Sequence, residues 1–160
     1  MELKTQPQLV EEIVSEAKQH ISRKRSEHII TVAHEDDLLL AQCDAKLIVQ
    51  TIINLVDNAI KYTPAGSHIW ITTRQEYGTA VFTVADDGPG IPDHEKKQIF
   101  QMFYTGAAAV ADSRRSLGLG LSLCRSIVTA HGGTITVSDN QPVGTIFTFT
   151  IPSGEVELHE

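Results

Sequence analysis

Two asparagines and a lysine are spaced so that they meet on one side of a helix. In NLVDNAIKY, Asn54 to Tyr62, the side chains of Asn54, Asn58 and Lys61 fall inside an arc of roughly 60° at about 100° per residue. Neutral amide oxygens suit a hard cation such as Mg2+ when the ligand itself brings the negative charge, and a lysine beside them suits a phosphate oxygen. The opposite side carries Ile48, Ile52, Leu55, Val56, Ala59 and Ile60, an apolar face able to lie on a sheet. A polar group beside such a face costs on the order of 1–3 kcal/mol if nothing satisfies it, so a partner is expected. The plainer alternative is an asparagine acting as a cap or loop anchor and a solvated lysine.

Two further stretches offer chemistry. Asp86-Asp87-Gly88-Pro89-Gly90-Ile91 directly follows the apolar run Val81 to Ala85. A carboxylate leaving a strand into a Gly-x-Gly turn can accept a hydrogen bond from an amino group, and the glycines let backbone approach a flat ring. An ordinary Asp-Gly turn is the competing reading. Gly118-Leu119-Gly120-Leu121 opens a periodic stretch running to His131. Glycines at a helix N-terminus expose N–H groups that, with the helix dipole, bind anions. A hinge or packing role remains open. The stretch lacks the third glycine of a dinucleotide fingerprint and the Gly-Lys-Ser/Thr of a P-loop.

These residues need elements to hold them. The asparagine helix is expected to open at Asp44 as N-cap and to stop at Thr63-Pro64-Ala65-Gly66. Before it, Leu9, Val10, Ile13, Val14, Ala17 and Ile21 predict an amphipathic helix over about 8–24, and His28 to Ala33 and Leu38 to Gln42 read as short strands around the turn 34–37. After it, His68 to Glu76 and Thr79 to Ala85 read as a hairpin turning at Gly78. A short helix over about 93–100, a loop over 105–117, a helix from Leu119 to His131 and strands Thr134 to Ser138 and Thr145 to Ile151 complete the chain. The strands alternate apolar with Thr or Ser, so one sheet face is packed and the other wetter. The expected fold class is an α/β (α+β) two-layer sandwich, a mixed, largely antiparallel sheet covered on one face by about three helices.

The 160 residues fit one domain, with a core over about 28–152. A chain of this length can bury roughly 70% of its unfolded surface. A net charge of −7 argues against a general nucleic-acid binder. Two cysteines, Cys43 and Cys124, make no disulfide framework or zinc spacing, which points to a reducing, cytoplasmic setting. No run of about 18 apolar residues or apolar signal core is seen, so the chain is expected not to insert into a membrane.

Taken in order, Asn-x-x-x-Asn-x-x-Lys-Tyr, Asp-x-Gly-Pro-Gly-Ile, Ile-Phe-x-x-Phe-Tyr and Gly-Leu-Gly-Leu resemble the N, G1, F and G2 boxes of sensor histidine kinase catalytic domains, within the ATPase superfamily shared with Hsp90, gyrase B and MutL. The resemblance covers the chain from about Ile29 onward and implies a Bergerat-type ATP-binding fold. By that resemblance Asn58 is the Mg2+ ligand and Asn54 its partner, a second ligand or the holder of a metal-bound water. Lys61 contacts phosphate and Tyr62 lines the nucleotide pocket. Asp86 accepts from the adenine amino group, with Gly88, Gly90 and Ile91 shaping the turn. Phe100, Phe103 and Tyr104 anchor one end of a lid over 105–117, and Leu117, Gly118, Leu119, Gly120 and Leu121 form the phosphate end of the pocket. Many relatives carry Arg where this chain has Thr105; Arg114 or Arg115 could take that role or be solvated charges. Ser116 stands where relatives often have Gly.

Hsp90-like and gyrase-like ATPases place a Glu at the position of Asn54 as general base, and Asn cannot take that proton. The resemblance therefore implies transfer of the γ-phosphoryl group of Mg2+·ATP, as in two-component signal transduction, rather than hydrolysis. The acceptor histidine is expected on a separate dimerisation domain, a response regulator is the downstream partner, and the parent is expected to be a sensor anchored on the cytoplasmic side of a membrane. His131 reads as a capping or packing residue. The closing region RRSLGLGLSLCRSIVTAHGG is similar to the potassium-responsive branch of these kinases. The alternatives are an anti-sigma-factor-type serine kinase and a non-catalytic nucleotide-dependent interaction module.

Overall fold

Two-residue alternation builds the sheet. In the computed structural model, which describes residues 2–22, 27–101 and 120–154, strands β4 (His68–Glu76) and β5 (Thr79–Asp86) form the expected hairpin. Their turn residues Tyr77 and Gly78 both take positive φ, 49° and 77°, the backbone pattern that matches the right-handed twist of paired strands. Antiparallel to β5 lies β7 (Thr145–Pro152), and antiparallel to β7 lies β6 (Ile135–Asp139). On one face Ile69, Ile71, Phe82, Val84, Phe147, Phe149 and Ile151 are buried, with Phe82 and Phe149 stacked at 4.6 Å. On the other, Thr72, Thr83, Thr148 and Thr136 stand in one line across four strands. Hydroxyls on that line leave it fit to face water.

Three helices cover the apolar face. α2 (Ala45–Lys61) buries Ile48, Val49, Ile52, Leu55, Val56, Ala59 and Ile60. α1 (Val10–Ser22) packs on α2 through Val10, Ile13, Val14, Ala17 and Ile21, and α4 (Gly120–Ala130) packs on its other flank through Cys124, Ile127 and Val128. Each large aliphatic side chain so buried contributes about 1.5–3 kcal/mol. The mixed, mostly antiparallel sandwich expected from the sequence is the one observed.

The N-terminal third differs in detail. Gln6–Leu9 is a strand, β1, rather than the first turn of a helix, because it pairs antiparallel with β3 (Leu40–Cys43) in a separate two-stranded sheet. The strands on either side of turn 34–37 do not pair with each other. Instead β2 (Ile29–His34) joins the main sheet parallel to β4, giving the order β2-β4-β5-β7-β6. Parallel pairing needs a long crossover, and β3 with α2 supplies it. The short helix after the glycine turn is a single turn, α3 (Asp93–Lys96), followed by hydrogen-bonded turns to Gln101.

Asp44 holds the N-cap position of α2, but its side chain does not cap. Its N–H donates to Nε2 of His131 at 3.0 Å, and the Nδ1–H of His131 is directed at the Ile127 carbonyl at 2.8 Å. These two bonds fix the neutral Nδ1–H tautomer. His131, 8% exposed, therefore ties the end of α4 to the start of α2.

Candidate functional site

Parity along β5 puts Asp86 on the same face as buried Phe82 and Val84, so a carboxylate is carried to the edge of the core and stays 6% exposed. One oxygen, Oδ1, accepts the N–H groups of Gly88 at 2.9 Å and Thr145 at 3.3 Å. Burial pushes the Asp86 acid above the ordinary aspartate value, against the two N–H bonds, which pull it down, and with a smaller upward push from Asp87. An anion held by two backbone donors with its second oxygen outside that pair is an aimed acceptor. Asp87 instead reaches the first residue of β4, where it accepts from the His68 N–H at 2.9 Å.

The end of α2 abuts this corner. A Cβ on Gly88 would lie 2.4 Å from the Thr63 methyl, so only glycine lets the turn close against the helix terminus. Thr63 is itself fixed: its hydroxyl donates to the Ala59 carbonyl at 2.7 Å and accepts from His28 Nε2 at 2.9 Å. Just before it, Asn54, Asn58 and Lys61 on the polar side of α2 and Tyr62 at its C-cap are all half-buried. The Lys61 ammonium sits 5.4 Å from the Tyr62 ring centroid, within cation–π range. Burial raises the Tyr62 phenol, which keeps it neutral.

Asn54 is oriented by a neighbour. Gln50 Nε2 donates to its Oδ1 at 2.8 Å, one helical turn away, and the Cys124 thiol of α4 donates to the Thr51 carbonyl of α2 at 3.7 Å. Burial pushes both Cys124 and Cys43 up to about 12, so neither thiol is a nucleophile. α4 opens at Gly120, where a Cβ would meet none of the described residues within 4 Å, and Leu121 packs on the core.

Of the residues singled out from sequence, the structure brings the end of the asparagine helix against the Asp-Gly turn through Thr63 and Gly88. Phe103, Tyr104, the lid 105–117 with Arg114 and Arg115, and Leu117, Gly118 and Leu119 lie outside the described residues. Among the described residues no cluster of His, Cys, Asp and Glu could hold a metal ion, and no helix is long and apolar enough to cross a membrane. The amide oxygens on α2 fit a cation that arrives with a phosphorylated ligand, not one bound alone.

Sequence reasoning missed several neighbours of the site: Gln50, Thr63, His28, Thr145, Asn140 and Lys96. Asn140 read only as part of a turn, and Thr145 only as a strand residue. One signal was present in sequence for Gln50, since it lies four residues before Asn54 and so on the same helix side.

Residues 43–155 match the family described as histidine kinase-, DNA gyrase B-, and HSP90-like ATPase. The sensor protein KdpD of Clostridium acetobutylicum is 43% identical over 150 residues; the match takes in 94% of this chain and 17% of that relative's length. Among solved structures, the nucleotide-free catalytic domain of histidine kinase ThkA superposes with a TM-score of 0.83 at 30% identity, covering 94% of this chain and 97% of the other. Full-length ShkA in complex with AMPPNP superposes with a TM-score of 0.84 at 25% identity, covering 99% of this chain and 33% of the other.

Proposed function

The chain belongs to the histidine kinase-, DNA gyrase B- and HSP90-like ATPase family, its relatives are sensor histidine kinases, and on that premise we propose that it binds Mg2+·ATP and delivers the γ-phosphoryl group to a histidine. The accepting histidine lies on a dimerisation domain of a two-component sensor kinase, which passes the group to a response regulator on the cytoplasmic side of a membrane. The observation that carries this reading is Asp86: a buried carboxylate at a strand end, one oxygen pinned by two backbone N–H groups, the other able to accept the adenine 6-amino group. ShkA, of the same fold, was solved with AMPPNP, and an adenine nucleotide is the ligand that such an acceptor selects.

Asn58 would hold the cation, with Asn54 beside it, and Mg2+ when bound supplies neutralisation of developing charge on the phosphates. Lys61 contributes a point charge to a phosphate oxygen, and Tyr62 lines the pocket. The N–H groups that open α4 at Gly120 and Leu121 would face the phosphates. Asn54 cannot accept a proton, so this chain holds no base at that position to activate water. Its contribution is to hold the phosphates in line while an imidazole nitrogen attacks phosphorus and the bond to the bridging oxygen of ADP breaks. His131 is no candidate for that nitrogen, since both of its own are bonded.

Titration calorimetry of the chain with ADP and ATP, with and without Mg2+, tests the reading. Nucleotide binding that Asp86→Asn abolishes, followed by phosphate transfer to an added histidine domain, is the expected result. A folded chain that ignores both nucleotides sinks it.

A further inference from the structure

The carboxylate of Asp86 can read a base only if the backbone of 86–91 holds still, and that loop is gripped at both ends by one strand end and its turn. At its entry, Asn140 Nδ2 donates to the Asp86 carbonyl at 2.8 Å. Asn140 is fixed for this: its Oδ1 accepts the Gln141 N–H at 2.9 Å and its own N–H bonds the Gly144 carbonyl at 2.9 Å. Gly144, at φ 119°, lies so close that a Cβ there would stand 1.9 Å from the Asp86 carbonyl oxygen. At the loop's exit, the Lys96 ammonium donates to the Ile91 carbonyl at 2.8 Å and bridges Asp93 at 2.5 Å and Asp139 at 2.9 Å. Asp139 is the last residue of β6 and Asn140 the first of the turn to β7, so one strand end and its turn clamp both ends of the base-recognition loop.

We propose, resting on the base-recognition reading of Asp86, that Asn140 and Lys96 are positioning residues that set adenine selectivity. Both act on backbone carbonyls of the loop, so their effect passes through the placement of the Asp86 carboxylate. The part of the affinity that depends on the 6-amino group should be lost with them, and the part that depends on sugar and phosphates retained.

The test titrates ADP and inosine diphosphate, which differ at the 6-amino group, into wild type, Asn140→Asp and Lys96→Met. Asn140→Asp keeps the acceptor for Gln141 and removes the donor to Asp86; Lys96, its side chain 16% exposed, sits on a different element, and Lys96→Met keeps the packing of the stem while removing the donor, so it gives a readable protein if the first does not fold. Wild type should prefer ADP by at least about tenfold, and each variant should lose about tenfold for ADP with inosine diphosphate unchanged. Equal weakening of both nucleotides, or an unchanged preference, overturns the positioning role. A wild-type chain that binds both nucleotides equally overturns the reading of Asp86 itself, and this role with it.

Discussion

The Asp86 corner and the polar face of α2, the proposed base and phosphate sides of the site, are built by different means. Around Asp86 nearly every contact is backbone: the N–H groups of Gly88 and Thr145, the carbonyl that Asn140 holds, and glycines at 88 and 144 where a Cβ would collide. On α2 the contacts are side chain to side chain on a half-exposed helix face, with Gln50 holding Asn54. At the start of α4, none of the described residues comes within 4 Å of a Cβ placed on Gly120. Backbone contacts are fixed by the fold before any ligand arrives, whereas flexible side chains settle when a ligand brings charge. On the proposed function, base recognition would be part of the folded core, and phosphate handling added to its surface.

The sharpest way to break that contrast is a pair of glycine substitutions. Gly144→Ala forces a Cβ into the Asp86 backbone at an unfavourable φ and should cost about 2–4 kcal/mol in a denaturant titration. Gly120→Ala should be neutral or stabilise by up to about 1 kcal/mol in the same measurement. Similar losses for both would show that the two sides are equally rigid.

Asp86→Asn separates function from stability. It should weaken ADP by about a hundredfold in calorimetry yet leave the melting temperature at neutral pH unchanged or higher. The sign follows from linkage: burial raises the folded-state value of this acid above the ordinary 3.8, so its favourable contribution is present in full below 3.8 and is lost as pH rises through the raised value. Acidification should narrow the stability gap between wild type and variant. ADP affinity should fall over the same window, because the acceptor must be ionised.

On the phosphate side the effects shrink. Asn58→Ala should remove the Mg2+ dependence of ATP binding, a loss of about tenfold with Mg2+ present and none in its absence. Gln50→Ala, which cuts an exposed bond to Asn54, should change stability by less than about 0.5 kcal/mol. Its effect is expected in the phosphotransfer rate, at a few-fold, read in a single-turnover assay.

How much of this was legible follows the same division. The α2 helix and the β4–β5 hairpin could be read because periodicity and turn chemistry agree over long stretches: seven apolar positions of α2 are buried, and Gly78 marks the turn. β1 was not legible, since four residues including Pro7 carry no strand signal until β3 pairs with them. The parallel place of β2 was equally hidden, because pairing partners are chosen by the whole sheet and not by the segment. In the site, the residues proposed to touch the ligand were singled out by type, spacing and resemblance. Those that hold them, Asn140 and Thr145 above all, sit more than 50 positions from Asp86 and gave no local sign.

The bridge through His131 sets how α4 can respond to whatever meets its first turn. α4 has 11 residues, about 16 Å of helix at 1.5 Å per residue, and it is tethered to α2 at the end away from Gly120. It is a lever with its pivot at the histidine. Rocking it by about 5° would carry Gly120 roughly 1.4 Å, on that helix length, while leaving the pivot in place. Such a tilt would move one end of one helix and leave the histidine bridge in place.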